Sequence, residues 1–506
     1  MTHQEDYISD VFGPNGRFAQ HFPAYEMREG QVALARLIDD AMRDGNHTLG
    51  EGPCGTGKGM AYAVPAVWHA HHRKKRVVIA TANIALQEQL VSKDLPLLQK
   101  LLPWSFSFAL LKGRNNYLCL EQFNEAMCRG SLSDSMFAEE SRQGHQIMDW
   151  VDRTKTGDVS ELAFVPMSSL WSKVSVSSDD CKGSECPQSS ACFSERAHAE
   201  AAAADIVVTN FHMLFAHLAV RQQTMRDLVL PPFDLLVLDE AHEAAHVARD
   251  FFGFGVSMAT LLRLARKARA LGYRTAPDQL QQSGSAFFGQ VAAFAKSPMY
   301  RTRLRKPGFA DPSPTCAAVG ELVGCFEEIA DDKKRKAEVR AAARNYMRQA
   351  KQAAIRLREA TALTNPDAVY WIDLDREGRA RLECKPIDVS GILSTSLFEA
   401  VDSVSLVSAT LTTSGSFSFI RKELGVPEDA TEKAVESPFD FKSQAFIVIP
   451  EHGLPDPRAA QFAGAVADRV GQVVELCNGR TLGLFTSYRV LNAVYERIRA
   501  QPFQIM

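Results

Sequence analysis

Short apolar runs that close on small polar residues, each followed by a helical pattern, recur along much of this chain. Arg76-Val77-Val78-Ile79-Ala80-Thr81 is an apolar run of the kind found in strands buried on both faces. It ends at Thr81-Ala82-Asn83, before a predicted helix carrying Leu86, Gln87, Gln89 and Leu90. Ala204 to Val208 repeats the scheme and closes on Thr209-Asn210-Phe211-His212. Phe233 to Leu238 runs into Asp239-Glu240-Ala241-His242, and Ser403 to Val407 runs into Ser408-Ala409-Thr410. Strands alternating with helices predict an α/β fold with a parallel sheet. Ligands of such sheets lie at the carboxyl ends of the strands, where these polar tips fall.

Further on the pattern changes. From about Ala244 to Lys385 it predicts long helices with few strands. Asp331 to Leu363 holds strong helix formers, with Arg340, Arg344, Arg348 and Lys351 on one face. Arg301, Arg303, Arg305 and Lys306 form a second basic cluster. Such faces suit either phosphate tracking or plain solvation. Strand character returns at Ala445 to Pro450 and at Thr481 to Tyr488, and a helix from Arg489 to Arg499 follows.

The densest chemistry precedes all of this. Glu51-Gly52-Pro53-Cys54-Gly55-Thr56-Gly57-Lys58-Gly59 has the form of a phosphate-binding loop between a short strand at Thr48-Leu49 and a helix from Met60. Glycines let backbone N–H groups close around phosphate oxygens, and Lys58 reaches the β and γ phosphates. The helix N-terminus adds its dipole. Gly59 departs from the pattern, because a Ser or Thr hydroxyl normally ligates Mg2+ there. A tight strand-to-helix turn is the bland alternative. Upstream, Arg28 and Gln31 precede a helix from Val32 to Met42. The Gln31 amide suits an adenine edge, or is a surface group at a helix start. Asp239 is suited to hold Mg2+ and Glu240 to polarise an attacking water.

Composition narrows the partners. The 506 residues are 46% hydrophobic and 23% charged, with a formal net charge of -3, so nucleic-acid binding would need local basic patches. No apolar run reaches the ~18 residues of a membrane span, and Met1 to Asp10 does not read as a signal peptide. Ten cysteines without a secretion signal point to a reducing cytoplasm, where clustered thiols bind metal more often than they pair. Cys119, in Lys112 to Cys119, together with Cys181, Cys186 and Cys192 in a C-x4-C-x5-C loop, suits an iron–sulfur or zinc site. Three unpaired loop thiols would be the alternative reading, with Cys128 a spare packed on a helix.

Taken together, these pieces resemble the DinG-type helicases of the XPD-like group in helicase superfamily two. The matching residues are Arg28 and Gln31, Gly52 to Lys58, Ala80 to Pro96, Lys112 to Cys119, the three loop cysteines, Val208 to His212, Asp239 to His242, Ser408 to Leu411, Ser437-Pro438-Phe439-Asp440 and Phe485 to Tyr488. The resemblance implies two RecA-like motor domains with an iron–sulfur domain and a helical arch inserted in the first. It places the first motor domain at 1–104, 204–244 and 386–412, the cluster domain at 105–203, the arch at 245–385 and an incomplete second motor domain at 413–506. It implies ATP, Mg2+ and a [4Fe–4S] cluster as cofactors. It implies a cytoplasmic monomer, with no membrane partner, that moves 5′ to 3′ on single-stranded DNA and opens duplex junctions in repair or replication, or in mobile-element defence.

By the same resemblance, Arg28, Gln31, Gly52, Gly55, Thr56, Gly57, Lys58 and Gly59 bind nucleotide. Lys58, Asp239, Glu240 and His242 act in catalysis. Thr81, Asn83, Gln89, Asn210, His212, Ser408, Thr410, Thr486 and Ser487 grip DNA or couple it to the ATP state. The family's arginine fingers lie in a Q-x-x-G-R-x-x-R segment, and no Gly-Arg pair here has that context. The stretch after Thr410 is also short for a RecA-like domain. The expectation is therefore a truncated chain that binds ATP and DNA with little motor activity.

Overall fold

Up to residue 438 the apolar runs form the strands expected of them, and their period of two sorts their side chains onto two cores. The computed structural model describes residues 6–128, 130, 132, 138–178, 180–295, 301–375, 377–449 and 453–499. It divides into two units, 1–438 and 439–506. In the first, the strands are β1 (Thr48–Glu51), β2 (Val77–Thr81), β3 (Phe108–Leu110), β4 (Ile206–Asn210), β5 (Leu235–Asp239), β6 (Phe254–Ser257), β7 (Thr302–Leu304), β8 (Ala368–Leu374), β9 (Ala380–Pro386), β10 (Ser403–Ser408) and β11 (Thr431–Ala434). Seven of them make one sheet in the order β11-β1-β10-β5-β2-β4-β3, with every pairing parallel. Val78, Ala80, Leu236, Leu238 and Leu406 face one core, while Val77, Ile79, Leu235, Val237 and Val407 face the other. Covering both faces explains the continuous apolar runs of β2, β4 and β5.

The helix Glu29–Asp44 lies so close over β1 that a Cβ on Gly50 would stand 2.3 Å from Leu34 Cδ1. β11, past residue 412, extends the same sheet as an exposed edge strand.

Two long excursions leave the sheet. Between β3 and β4 lie the helices Leu120–Cys128, Ala138–Val151, Ser168–Val174 and Phe193–Ala203, which carry or flank the cysteines. The excursion is stapled to the sheet by Lys112, which is 1% exposed. Its ammonium meets Asp158 Oδ2 at 2.7 Å, Glu88 Oε1 at 3.2 Å and Ser160 Oγ at 3.1 Å.

The second excursion, between β5 and β10, has its own core. It is not as purely helical as its sequence predicts. Helices Met258–Ala270, Thr275–Phe294, Ser313–Asp331 and Ala337–Ala362 pack with a four-stranded antiparallel sheet, β6-β9-β8-β7. In the β8–β9 hairpin, β8 carries Val369, Tyr370, Trp371 and Ile372, while β9 mixes charged with apolar residues. On the long helix, Arg344, Arg348 and Lys351 are exposed. Asp180, beside Cys181, pairs with Lys267 of this excursion and accepts weakly from Gln349 at 3.5 Å.

The second unit contains the helices Phe462–Leu476 and Tyr488–Ile498. The strands expected from Ala445 and from Thr481 do not form. Phe446 is 96% exposed and Leu484 86%, and no described residue pairs with either run; Pro450 lies outside the described residues. An apolar run becomes a strand only with a ladder partner.

Lys112→Ala should destabilise the first unit by about 3–5 kcal/mol in urea unfolding, because Asp158 is left charged, buried and unpaired. Lys112→Met combined with Asp158→Asn should recover most of the loss.

Candidate active site

Strand register assembles the site. Glu51 is level with Ser408, Val407 with Asp239, Asp239 with Thr81, and Thr81 with Asn210. One row thus carries the tips of β5, β2 and β4, and the tips of β10 and β1 lie one residue further along the same carboxyl edge.

At the end of β1 the loop turns through Gly55 (φ +88°) and Gly57 (φ +82°), conformations that favour glycine. Gly57 caps the helix Lys58–Arg73, which places Lys58 at its first position and points the helix N-terminus into the loop. Gly52 donates to the Ser408 carbonyl at 2.9 Å. Thr56 is buried, and its hydroxyl donates to the Pro53 carbonyl at 2.7 Å, so it shapes the loop from within. Gln31 does the same from outside, with Nε2 donating to the Gly57 carbonyl at 2.9 Å. Arg28 is exposed, and its guanidinium lies beside Gly57.

Asp239 and Glu240 have different surroundings. Asp239 is 6% exposed, and burial, with the charge of Glu240 beside it, pushes its carboxyl up to about 6. Its Oδ2 accepts from the Tyr62 hydroxyl at 3.0 Å and its Oδ1 from the Glu240 amide at 3.0 Å. The Lys58 charge opposes that upward shift. Glu240 has φ +55°, unusual for a residue with a side chain, and this turn separates its carboxylate from Asp239. The Ser408 hydroxyl, fully buried, donates to Glu240 Oε2 at 3.0 Å and lies 2.6 Å from His242 Nδ1. Ser408 thereby links the acid, the histidine and the tip of β10. Glu51, which sequence reasoning passed over, accepts from the Leu411 and Thr412 amides and from the Thr412 hydroxyl at 2.9 Å. It fastens the segment after Ser408 to the phosphate-loop strand.

The remaining sequence candidates divide. Asn83 Oδ1 caps the helix Ile84–Gln89, and Asn210 Oδ1 caps the helix Phe211–Thr224. Thr81 is buried and donates to the Asn83 carbonyl at 2.9 Å. Gln89, His212 and Thr410 are exposed. Thr486 and Ser487 belong to the second unit, where Ser487 precedes the helix Tyr488–Ile498.

The cysteines lie within one region. Cys119 directly precedes the helix Leu120–Cys128, and Cys192 precedes Phe193–Ala203. The Cys119 thiol is pushed up by burial, with Cys186 and Cys181 near enough to add to the shift. Arg114 Nη1 lies 3.6 Å from Cys181 Sγ and feels Cys192 as well. The Gly183 amide donates to Cys181 Sγ at 3.4 Å. Four thiols among amide and guanidinium donors suit a thiolate-ligated group in their chemistry. Among the described residues, however, no three His, Cys, Asp or Glu side chains converge closely enough to hold a metal ion. Cys128 ends its helix exposed, not packed.

Comparison with known proteins adds the following. No family model matches the chain. It is 30% identical over 508 residues to "ATP-dependent DNA helicase YoaA" of Escherichia coli K12, spanning 97% of this chain and 76% of that protein. It is 32% identical over 496 residues to "ATP-dependent helicase DinG" of Mycobacterium tuberculosis H37Rv, spanning 93% and 73%. A solved XPD helicase chain superposes with a TM-score of 0.49 at 14% identity, covering 94% of this chain and 75% of that one. No described helix is long and apolar enough to cross a membrane.

The carboxyl of Asp239 yields a prediction. Its pKa in the folded protein, about 6, is above its ordinary value of 3.8. Its ionisation therefore opposes folding by about 3 kcal/mol above pH 6, and the opposition fades as pH falls toward 4. In EDTA, Asp239→Asn should raise the Tm at pH 7.5 and change it little at pH 4.5, as read by differential scanning fluorimetry.

Proposed function

The chain belongs to the DinG/YoaA family of ATP-dependent helicases, and from that premise we propose that it is an ATP-driven motor moving 5′ to 3′ on single-stranded DNA and opening duplexes at junctions. The observation that carries this reading is the row of strand tips that gathers the phosphate loop, Asp239, Glu240, His242 and Ser408 at one edge. In the proposal, the loop amides and the Lys58 ammonium hold the triphosphate, with Arg28 and Gln31 at the base end. Asp239 would hold a magnesium ion, which would supply the positive charge that phosphoryl transfer needs. Glu240 orients the attacking water. Its carboxylate is held by Ser408, and Ser408 also meets His242. A shift of the Ser408–Thr410 segment would therefore be felt directly at the hydrolytic carboxylate. Gln89 and His212 are exposed, as contacts to a DNA backbone require.

We also assign Cys119, Cys181, Cys186 and Cys192 to a [4Fe–4S] cluster that braces the first excursion, with the second as the arch. The support is the C-x4-C-x5-C spacing together with Cys119, and the guanidinium of Arg114 beside Cys181. The domain division read from the sequence is part of the same proposal.

Two measurements test this reading. Lys58→Ala should weaken binding of a fluorescent ATP analogue in Mg2+ by at least about 100-fold, through loss of a charge from the β and γ phosphates. Unchanged affinity would remove the nucleotide site from this loop. Anaerobically purified protein should contain about four irons per chain and bind single-stranded DNA less tightly as salt rises. Cys181→Ser should lose the iron, and stoichiometric zinc would refute the cluster.

A further inference from the structure

Tyr62 has no role in the nucleotide chemistry set out above, yet its hydroxyl reaches the centre of the site. It lies one helical turn beyond Lys58 on the helix Lys58–Arg73, and so on the same side. The residue is 1% exposed, and its hydroxyl donates to Asp239 Oδ2 at 3.0 Å. The other Asp239 oxygen is held by the Glu240 amide. Burial and the neighbouring carboxylates raise the phenol far above its ordinary range, so it stays protonated and remains a donor.

The surroundings of Gly59 give this bond a second meaning. A Cβ at position 59 would stand 3.5 Å from Asp94 Oδ2 and 3.9 Å from Tyr62 Oη. Asp94 is presented there at the end of a π-helical turn, Leu90–Asp94, and accepts from Gln89 at 3.3 Å. The space that a Ser or Thr side chain would fill is thus bordered by the phenol that holds Asp239. After donating its only proton to Asp239, Tyr62 Oη keeps lone pairs to accept from a water in that space.

We propose that Tyr62 is a positioning residue for the magnesium-bearing carboxylate, and that its phenol oxygen takes over the ordering role that a hydroxyl at position 59 would otherwise play. The proposal rests on the nucleotide reading above. It explains how a loop with glycine at this position retains an ordered metal side. Asp239 is aimed by a neighbour on the phosphate-loop helix, and the same oxygen would accept from a water filling the space beside Gly59.

The test is a magnesium titration of the whole chain, read as binding of a fluorescent ATP analogue, with affinity in EDTA measured alongside. Tyr62→Phe should raise the half-saturating free Mg2+ about tenfold, the loss expected of one hydrogen bond to a charged group, and should leave the EDTA affinity unchanged. Gly59→Ser in the Tyr62→Phe background should return the requirement most of the way. A Tyr62→Phe variant with the wild-type magnesium requirement overturns the proposal. So does one that loses affinity equally with and without metal, since that marks Tyr62 as a packing residue of the loop. The same titration separates the two claims. If the unaltered chain binds no nucleotide under any condition, the nucleotide reading fails first and this inference falls with it.

Discussion

The level carboxyl edge of the parallel sheet is the constraint on which this structure depends. Parallel pairing brings Asp239, Thr81 and Asn210 into one row, with Glu51 and Ser408 level with each other one residue further along the edge. These residues come from far-separated stretches of sequence, with long excursions between them. A shift of one residue in any strand would turn its apolar side chains to the opposite core and move its polar tip off the row. The two cores, sorted by the alternation within each strand, therefore enforce the geometry of the site as well as the stability of the sheet.

Within that row, three interactions convert proximity into linkage. The left-handed turn at Glu240 parts two adjacent carboxylates, so that Asp239 faces the phosphate-loop helix while Glu240 faces Ser408. Glu51 ties the segment after Ser408 to the strand that launches the phosphate loop. The loop itself is braced from both sides, by Thr56 within and Gln31 without. A buried carboxylate such as Asp239 is costly, and such costs are commonly carried where charge is needed for function.

The excursions are joined to this frame by charge as well as by apolar packing. Lys112 connects Glu88, on the helix after β2, to Asp158 in the cysteine-bearing excursion. Asp180, next to Cys181, reaches Lys267 in the helical excursion. Ion pairs of this kind specify relative placement more than they add stability.

Much of this was legible in the sequence, for reasons that are local. The phosphate loop needs glycines and a lysine within a few residues, so Gly55, Gly57 and Lys58 announce it. Strands buried on both faces are continuous apolar runs, and β2, β4 and β5 were readable for that reason. The family resemblance rested on the same short motifs. What the sequence withheld was partnership. Tyr62 and Asp239 lie 177 residues apart, and Ser408 and Glu240 lie 168 apart; no pattern in either stretch marks its mate. Gln31 and Thr56 carry no local sign of the loop hydrogen bonds they make. Asn83 and Asn210 also cap helices. The run at Phe446 has the composition of a strand and lacks a described partner, while the charge-rich β9 lacks the composition and pairs with both β8 and β6. Composition and spacing determine which local structures a chain can form and which chemistry it carries. Pairing between distant segments determines which of those structures form and which groups meet, because a hydrogen bond or a ladder needs two ends and a local sequence pattern describes only one.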